Sequence, residues 1–152
     1  ELGMPAPAGA GALAPAAGVS ADAAVPVEHG VRTGPKLTKV TIVASQARFS
    51  QLQEALERLG ITGLTVTNVF GYGAQKGHRT YYRGAPVEAR LLPKLKVDIV
   101  VSKVPVAEVV AAARRSLYTG SIGDGKIFIY DVENVVKVRT GEEGYDALQD
   151  TD

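Results

Sequence analysis

Residues 120–130, "GSIGDGKIFIY", decide how this chain is read. Gly120, Gly125 and Lys126 stand at the G-x-x-x-x-G-K spacing of a phosphate-binding P-loop. A P-loop continues with Ser or Thr, whose hydroxyl reaches a magnesium ion. Here the next residue is Ile127. A P-loop also follows a strand and opens a helix, so that the helix N-terminus faces the phosphates. The flanks of this stretch have the opposite order. Upstream, Val106, Val109, Val110, Ala113 and Leu117 form the apolar stripe of a helix that Pro105 opens, and Gly120 lies past its end. Downstream, "KIFIYDV" (126–132) reads as a strand. Two readings stay open: an Asp-Gly turn of type I′ or II′ between helix and strand, or an anion loop of backbone N–H groups followed by a fixed lysine.

The same strand-helix-strand order occurs once more upstream. "KLTKVTIVAS" (36–45) is rich in β-branched residues and reads as a strand. In "SQLQEALERLG" (50–60), Leu52, Leu56 and Leu59 share one helix face, Ser50 and Gln53 have the form of a capping box, and Gly60 suits the stop. "GLTVTNVFGYG" (63–73) is a second strand, with Leu64, Val66 and Asn68 on one face and Thr65, Thr67 and Val69 on the other. "KLKVDIVVS" (94–102) is a third, along which Leu95, Val97, Ile99 and Val101 alternate, and "VVKVRTGEEG" (135–144) reads as a short extended tail. Two consecutive units of this kind imply an α+β, ferredoxin-like split βαβ sandwich: one four-stranded antiparallel sheet with both helices on one face. The other sheet face is expected to be substantially apolar, which implies oligomerisation.

The composition fits one domain with an appendage. Of 152 residues, 45% are hydrophobic and 22% charged, and the net charge of +1 offers no field for nucleic acid or an anionic membrane. With no cysteine, disulfides, thiolate metal sites and cysteine nucleophiles are excluded together. The two histidines, His29 and His78, fall in a low-complexity stretch and a polar loop. No continuous run reaches the ~18 apolar residues of a membrane-spanning helix, so a cytoplasmic location is expected. Residues 1–36 are dominated by Ala, Gly and Pro and are expected to be a disordered linker or extension. They are read as native sequence, the junction of a fusion to a transporter, or an added piece. The folded domain is placed at 37–152.

Between the second and third strands lies "GYGAQKGHRTYYRGAPVEAR" (71–90), a long connection with four glycines, several cations and the adjacent Tyr81 and Tyr82. Connections of this length inside a compact domain are uncommon. It is either a solvated hairpin or a mobile arm that meets a ligand at its base and a protein at its tip.

Three stretches, "LTVTNVFGYGAQKGHRTYYRG" (64–84), "LLPKLKVDIVV" (91–101) and "TGSIGDGKIFIYDVENVVKVRTGEEG" (119–144), resemble the PII nitrogen-signalling proteins in order and spacing. The resemblance runs from about residue 39 to residue 144. "KLKVDIVVSKVPV" with "RTGEEG" is most similar to the ammonium-transporter-associated branch of Gram-positive bacteria. It implies a homotrimer with the sheets turned inward, a T-loop at about 73–91, a B-loop at about 119–126 and a C-terminal loop at about 137–146. ATP or ADP would bind between subunits, and 2-oxoglutarate beside ATP through Mg2+. Carried over by position, Gly123, Asp124, Gly125 and Lys126 would cradle phosphates. Lys137 and Arg139 would reach them from a neighbouring subunit, although the family usually has Arg at the first of these. Gly71, Tyr72 and Gly73 form the T-loop base, with Val43 and Thr65 near the nucleotide. Gln75 would ligate Mg2+, and Lys94 would pair with a 2-oxoglutarate carboxylate beside the backbone of Lys76 and Gly77. Ala74 replaces a common Arg.

Arg83 matches the arginine that enters the vestibule of an Amt-type ammonium transporter. Ala85 and Val87 stand where relatives carry a modifiable Ser and Tyr, so modification of those positions is not expected. The implied role is regulatory, without catalytic residues, through partners such as the transporter and other nitrogen-metabolism proteins. The protein would be cytoplasmic and recruited to the inner face of the membrane. The alternatives are a PII-like regulator of bicarbonate transport, a PII domain within a transporter fusion, and, more remotely, a nucleotide hydrolase using "GDGK".

Overall fold

In the computed structural model, which describes residues 34–72, 81–82, 85–86 and 91–149, the chain folds around β1 (Leu37–Ala44). The other elements are α1 (Phe49–Arg58), β2 (Thr65–Gly71), the short pair β3 (Tyr81–Tyr82) and β4 (Ala85–Pro86), β5 (Leu92–Val101), α2 (Val106–Leu117) and β6 (Lys126–Val132). The main sheet has the order β2-β5-β1-β6, and every neighbouring pair is antiparallel. Each helix therefore links two strands that run the same way with a third between them. This is the interleaved double βαβ arrangement read from the sequence. The expected disorder of 1–36 falls, save for its last three residues, outside the described residues.

Strand periodicity explains the core. Val40, Ile42 and Ala44 of β1 and Val97, Ile99 and Val101 of β5 point to one face. There they meet Leu52 and Leu56 of α1 and Val109, Ala113 and Leu117 of α2. The stop of α1 is as expected. Gly60 has φ 80, its N–H donates to Glu57 O at 2.9 Å, and the N–H of Ile61 donates to Leu56 O at 3.1 Å. These are the two bonds of a Schellman motif, and Ile61 packs in the same core as Leu56.

Three expectations are corrected. The capping box at Ser50 does not form, because the helical chain begins earlier. A 3-10 turn at Gln46–Arg48 with Ser45 as its N-cap runs into α1, whose first residue is Phe49. Arg48 fixes that start by donating from Nη1 to Ser116 O at 3.3 Å, while Gln53 donates to Glu57 Oε1 at 3.1 Å instead of capping. The stretch 135–144 is not extended but folds back on itself. The N–H groups of Lys137, Gly141 and Gly144 donate to Glu142 O, Lys137 O and Val135 O at 2.8, 2.8 and 2.9 Å.

The sheet face opposite the helices is less apolar than expected. Leu37, Val43, Val100 and Phe128 share it with Lys39, Lys96 and Asp98, by the alternation along β1, β5 and β6. At its centre the Thr41 hydroxyl donates to Asp98 Oδ1 at 2.5 Å, with Lys39 Nζ and Lys96 Nζ at 3.6 and 3.7 Å from the carboxylate. Burial pushes the Asp98 pKa up, but the Thr41 hydrogen bond and the two lysines outweigh it and hold it below the usual carboxylate value.

Two outcomes are expected. Leu56→Ala, at a fully buried position, should cost roughly 2–5 kcal/mol in urea unfolding with an unchanged slope. Because the folded pKa of Asp98 is depressed, its contribution is present above the ordinary carboxylate pKa and is lost as pH falls through the lower folded value. Asp98→Asn should flatten that acid limb of the stability profile, and an unchanged limb would contradict the assignment.

Candidate functional site

The residues of interest gather where β1 ends and β6 begins. Ladder register sets Val43 of β1 opposite both Lys96 and Lys126, and sets Lys94 opposite Val69 of β2, two residues before Gly71. The connection from α2 to β6 closes over this end of the sheet.

Its shape comes from one carboxylate and its glycines. Asp124 accepts from the N–H groups of Thr119 and Gly120, at 2.8 and 3.0 Å, and from the Thr119 hydroxyl. The Thr119 hydroxyl oxygen in turn accepts from the Ser121 N–H at 3.3 Å. The Thr119 side chain first, and then the two backbone donors, hold the Asp124 carboxyl below its usual range. The Asp124 side chain thus ties the loop to the end of α2. Gly125 is required by space as well as by its φ of 118: a Cβ there would lie 2.2 Å from the Val43 carbonyl oxygen. This contact brings Val43 and Gly125 together, and Lys126 follows with an exposed side chain. A shallow cavity of about 140 Å3 beside the loop is lined by Arg114, Tyr118, Asp124, Gly125 and Lys126 among others.

Lys94 joins this group. Its ammonium donates to the Gly123 carbonyl at 3.1 Å. Its stem also runs past the end of β2, where a Cβ on Gly71 would lie 3.2 Å from Lys94 Cγ. Gly71, Lys94 and Gly123 are therefore neighbours, and Tyr72 follows Gly71 as an exposed residue.

Thr65 is elsewhere on the same face. It stands opposite Asp98, which stands opposite Thr41, two rows of the ladder away from Lys96 and Val43. Thr65 and Asp98 line a larger cavity of about 600 Å3, walled by 60–65, 98–104 and the C-terminal residues 145 and 147–149. Sequence reasoning missed both Asp98 and this cavity. The available signal was an acidic residue inside an otherwise β-branched strand, "VDIVV".

Lys137 and Arg139 are not brought to the glycine loop within one chain. Lys137 is mostly buried, with 15% of its side chain exposed, and its Nζ lies 3.2 Å from Glu142 Oε2 and donates to Gln149 O. The bond from the Lys137 ammonium to Glu142, first, and then the Thr140 hydroxyl hold the Glu142 carboxyl below its usual range. Arg139 is exposed. Gly73, Gln75, Lys76, Gly77 and Arg83 lie outside the described residues. Among the described residues no group of three or more His, Cys, Asp or Glu is placed to hold a metal ion.

A glycine-rich turn of backbone dipoles with a following lysine at the end of a sheet is chemically suited to a phosphate-like anion. The family model described as "Nitrogen regulatory protein P-II" matches residues 37–142. The nitrogen regulatory PII-like protein of Bacillus subtilis (strain 168) is 50% identical over 113 residues, which cover 74% of this chain and 97% of that protein. Among solved structures, the B. subtilis GlnK–ATP complex matches with TM-score 0.63 and 46% identity, covering 74% of this chain and 95% of the other. Arabidopsis thaliana PII bound to citrate matches with TM-score 0.60 and 36% identity, covering 74% and 92%. The chain belongs to the P-II family of nitrogen regulatory proteins.

Proposed function

We propose that this chain is a ligand-responsive regulator that binds ATP or ADP at the loop 119–126, with 2-oxoglutarate as effector, and acts on its partners through residues 73–91. The observation that carries the reading is the loop itself: Asp124 ties it to Thr119 and Gly120, Gly125 lies against Val43, and Lys126 follows. The similarity to a relative solved with ATP supports the choice of ligand. A relative solved with citrate supports a carboxylate effector for the family.

In this reading the phosphates meet backbone N–H groups of 123–125 and the Lys126 ammonium, with the base towards the cavity at Thr65 and Asp98. Lys137 and Arg139 would serve the site of an adjoining subunit in a homotrimer. Lys137 would then have to exchange its contacts with Glu142 and Gln149 for phosphate. Its single ammonium offers less directed bonding than the forked guanidinium usual at that position. Gln75, with its amide oxygen, would help hold Mg2+, a hard cation that would supply positive charge beside the phosphates. The effector carboxylate would draw on Lys94.

The output would be binding rather than chemistry. Ligand occupancy would bias the arm between conformations of different partner affinity. Arg83 in that segment would suit a narrow, carbonyl-lined vestibule such as that of an Amt-type ammonium transporter, and three arms on a trimer would add avidity. The protein would be cytoplasmic and membrane-recruited only through that partner.

Calorimetry tests the nucleotide site. Lys126→Ala should weaken ATP and ADP binding by roughly ten- to a hundredfold, the worth of one charge-assisted contact. Gly125→Ala should do so too, by pushing the loop off Val43. Unchanged affinity in both folded variants would remove the loop from the site. 2-Oxoglutarate should bind only with ATP and Mg2+, and Gln75→Ala should abolish this while sparing ADP. Transporter pull-down should be lost in Arg83→Ala and should fall when ATP and 2-oxoglutarate are added together. Indifference to both would reduce the arm's arginines to solubilising charges.

A further inference from the structure

The Lys94 ammonium donates to the carbonyl oxygen of Gly123, in a loop 29 residues further along the chain, at 3.1 Å. A peptide unit is planar and its N–H lies trans to its C=O. Holding the Gly123 oxygen therefore sets the direction of the whole 123–124 peptide. Gly123 has φ 110, a conformation open to glycine, and the N–H of the same peptide donates to Ser121 O at 3.4 Å, so Lys94 and the loop backbone hold this peptide from its two ends. Of the ways it could turn, one would present the carbonyl oxygen to the space beside Lys126, where it would repel an anion.

We infer that Lys94 is a positioning residue of the anion loop: by binding the Gly123 oxygen it keeps that dipole turned away from the bound phosphates. This deepens the reading of 119–126 as a phosphate loop and rests on it. Lys94 also packs its stem against Gly71, the last residue of β2. One side chain thus touches both the end of β2 and the loop 119–126.

The test uses the full chain without effector, so that only the hold on Gly123 is read. In Lys94→Met, ADP affinity by calorimetry should fall roughly three- to tenfold, in line with one lost hydrogen bond. Hydrogen exchange of the amides of 122–126 in the nucleotide-free protein should accelerate. Lys94→Arg, which keeps a donor on a long stem, should restore both. Lys94→Gln carries the same expectation as Lys94→Met should the latter be insoluble. Unchanged loop exchange in Lys94→Met overturns the proposal even if affinity falls, because the lysine would then act only as a charge. Lys126→Ala serves as the control. Normal ADP binding in that variant sinks the phosphate-loop reading itself, whereas loss there with no effect at Lys94 sinks the positioning role alone.

Discussion

Every residue of β1 from Thr38 to Val43 is paired on both sides, with β5 on one edge and β6 on the other. That double pairing is the constraint on which the rest depends. A strand with two ladders has no freedom of register, because a slip of one residue would turn Val40 and Ile42 out of the core on which both helices rest. With β1 fixed, Val43 must lie beside Lys96 and Lys126, and the loop that leads into β6 must close against the end of β1. The close approach of Gly125 to the Val43 carbonyl follows from this, and so does the position of Lys126.

The loop is held in place by side-chain contacts. Its glycines would leave it loose if nothing held it, and two side chains remove that freedom from opposite sides. Asp124 gathers the donors at the end of α2, and Lys94 holds the carbonyl of Gly123 from β5. A site preorganised in this way loses little conformational entropy when an anion arrives. The opposite sheet face carries its polar group, Thr41 with Asp98 between two lysines, at the centre. Such a face suits burial against another subunit only if those charges stay paired there.

The topology was legible because period-2 and period-3.6 patterns alternate cleanly along 37–132. The misreadings have physical causes. Ser50 and Gln53 match a capping box locally, but the contact that sets the start of α1 is Arg48 with Ser116, 68 residues away. The open face is polar at its centre because strand alternation sends the apolar residues of β5 inward. In β5 the odd positions 97, 99 and 101 all go to the core, leaving Lys96 and Asp98 behind. The folding back of 135–144 was written in Gly141 and Gly144, at φ 74 and 67, but a basic, β-branched run masked it. Of the site, the loop and Lys94 were visible through resemblance. The roles of Asp124 as a tie and Lys94 as a hold were not, since both are contacts made by the fold.

The central claim, that residues 119–126 receive the phosphates of a nucleotide, is tested most directly by amide hydrogen exchange with and without ADP. Protection should concentrate at 122–126 and at the adjoining end of β1 around Val43, since bound phosphate would occupy those N–H groups and press the loop onto the sheet. Protection confined to other segments, or absent at saturating ADP, would contradict the account.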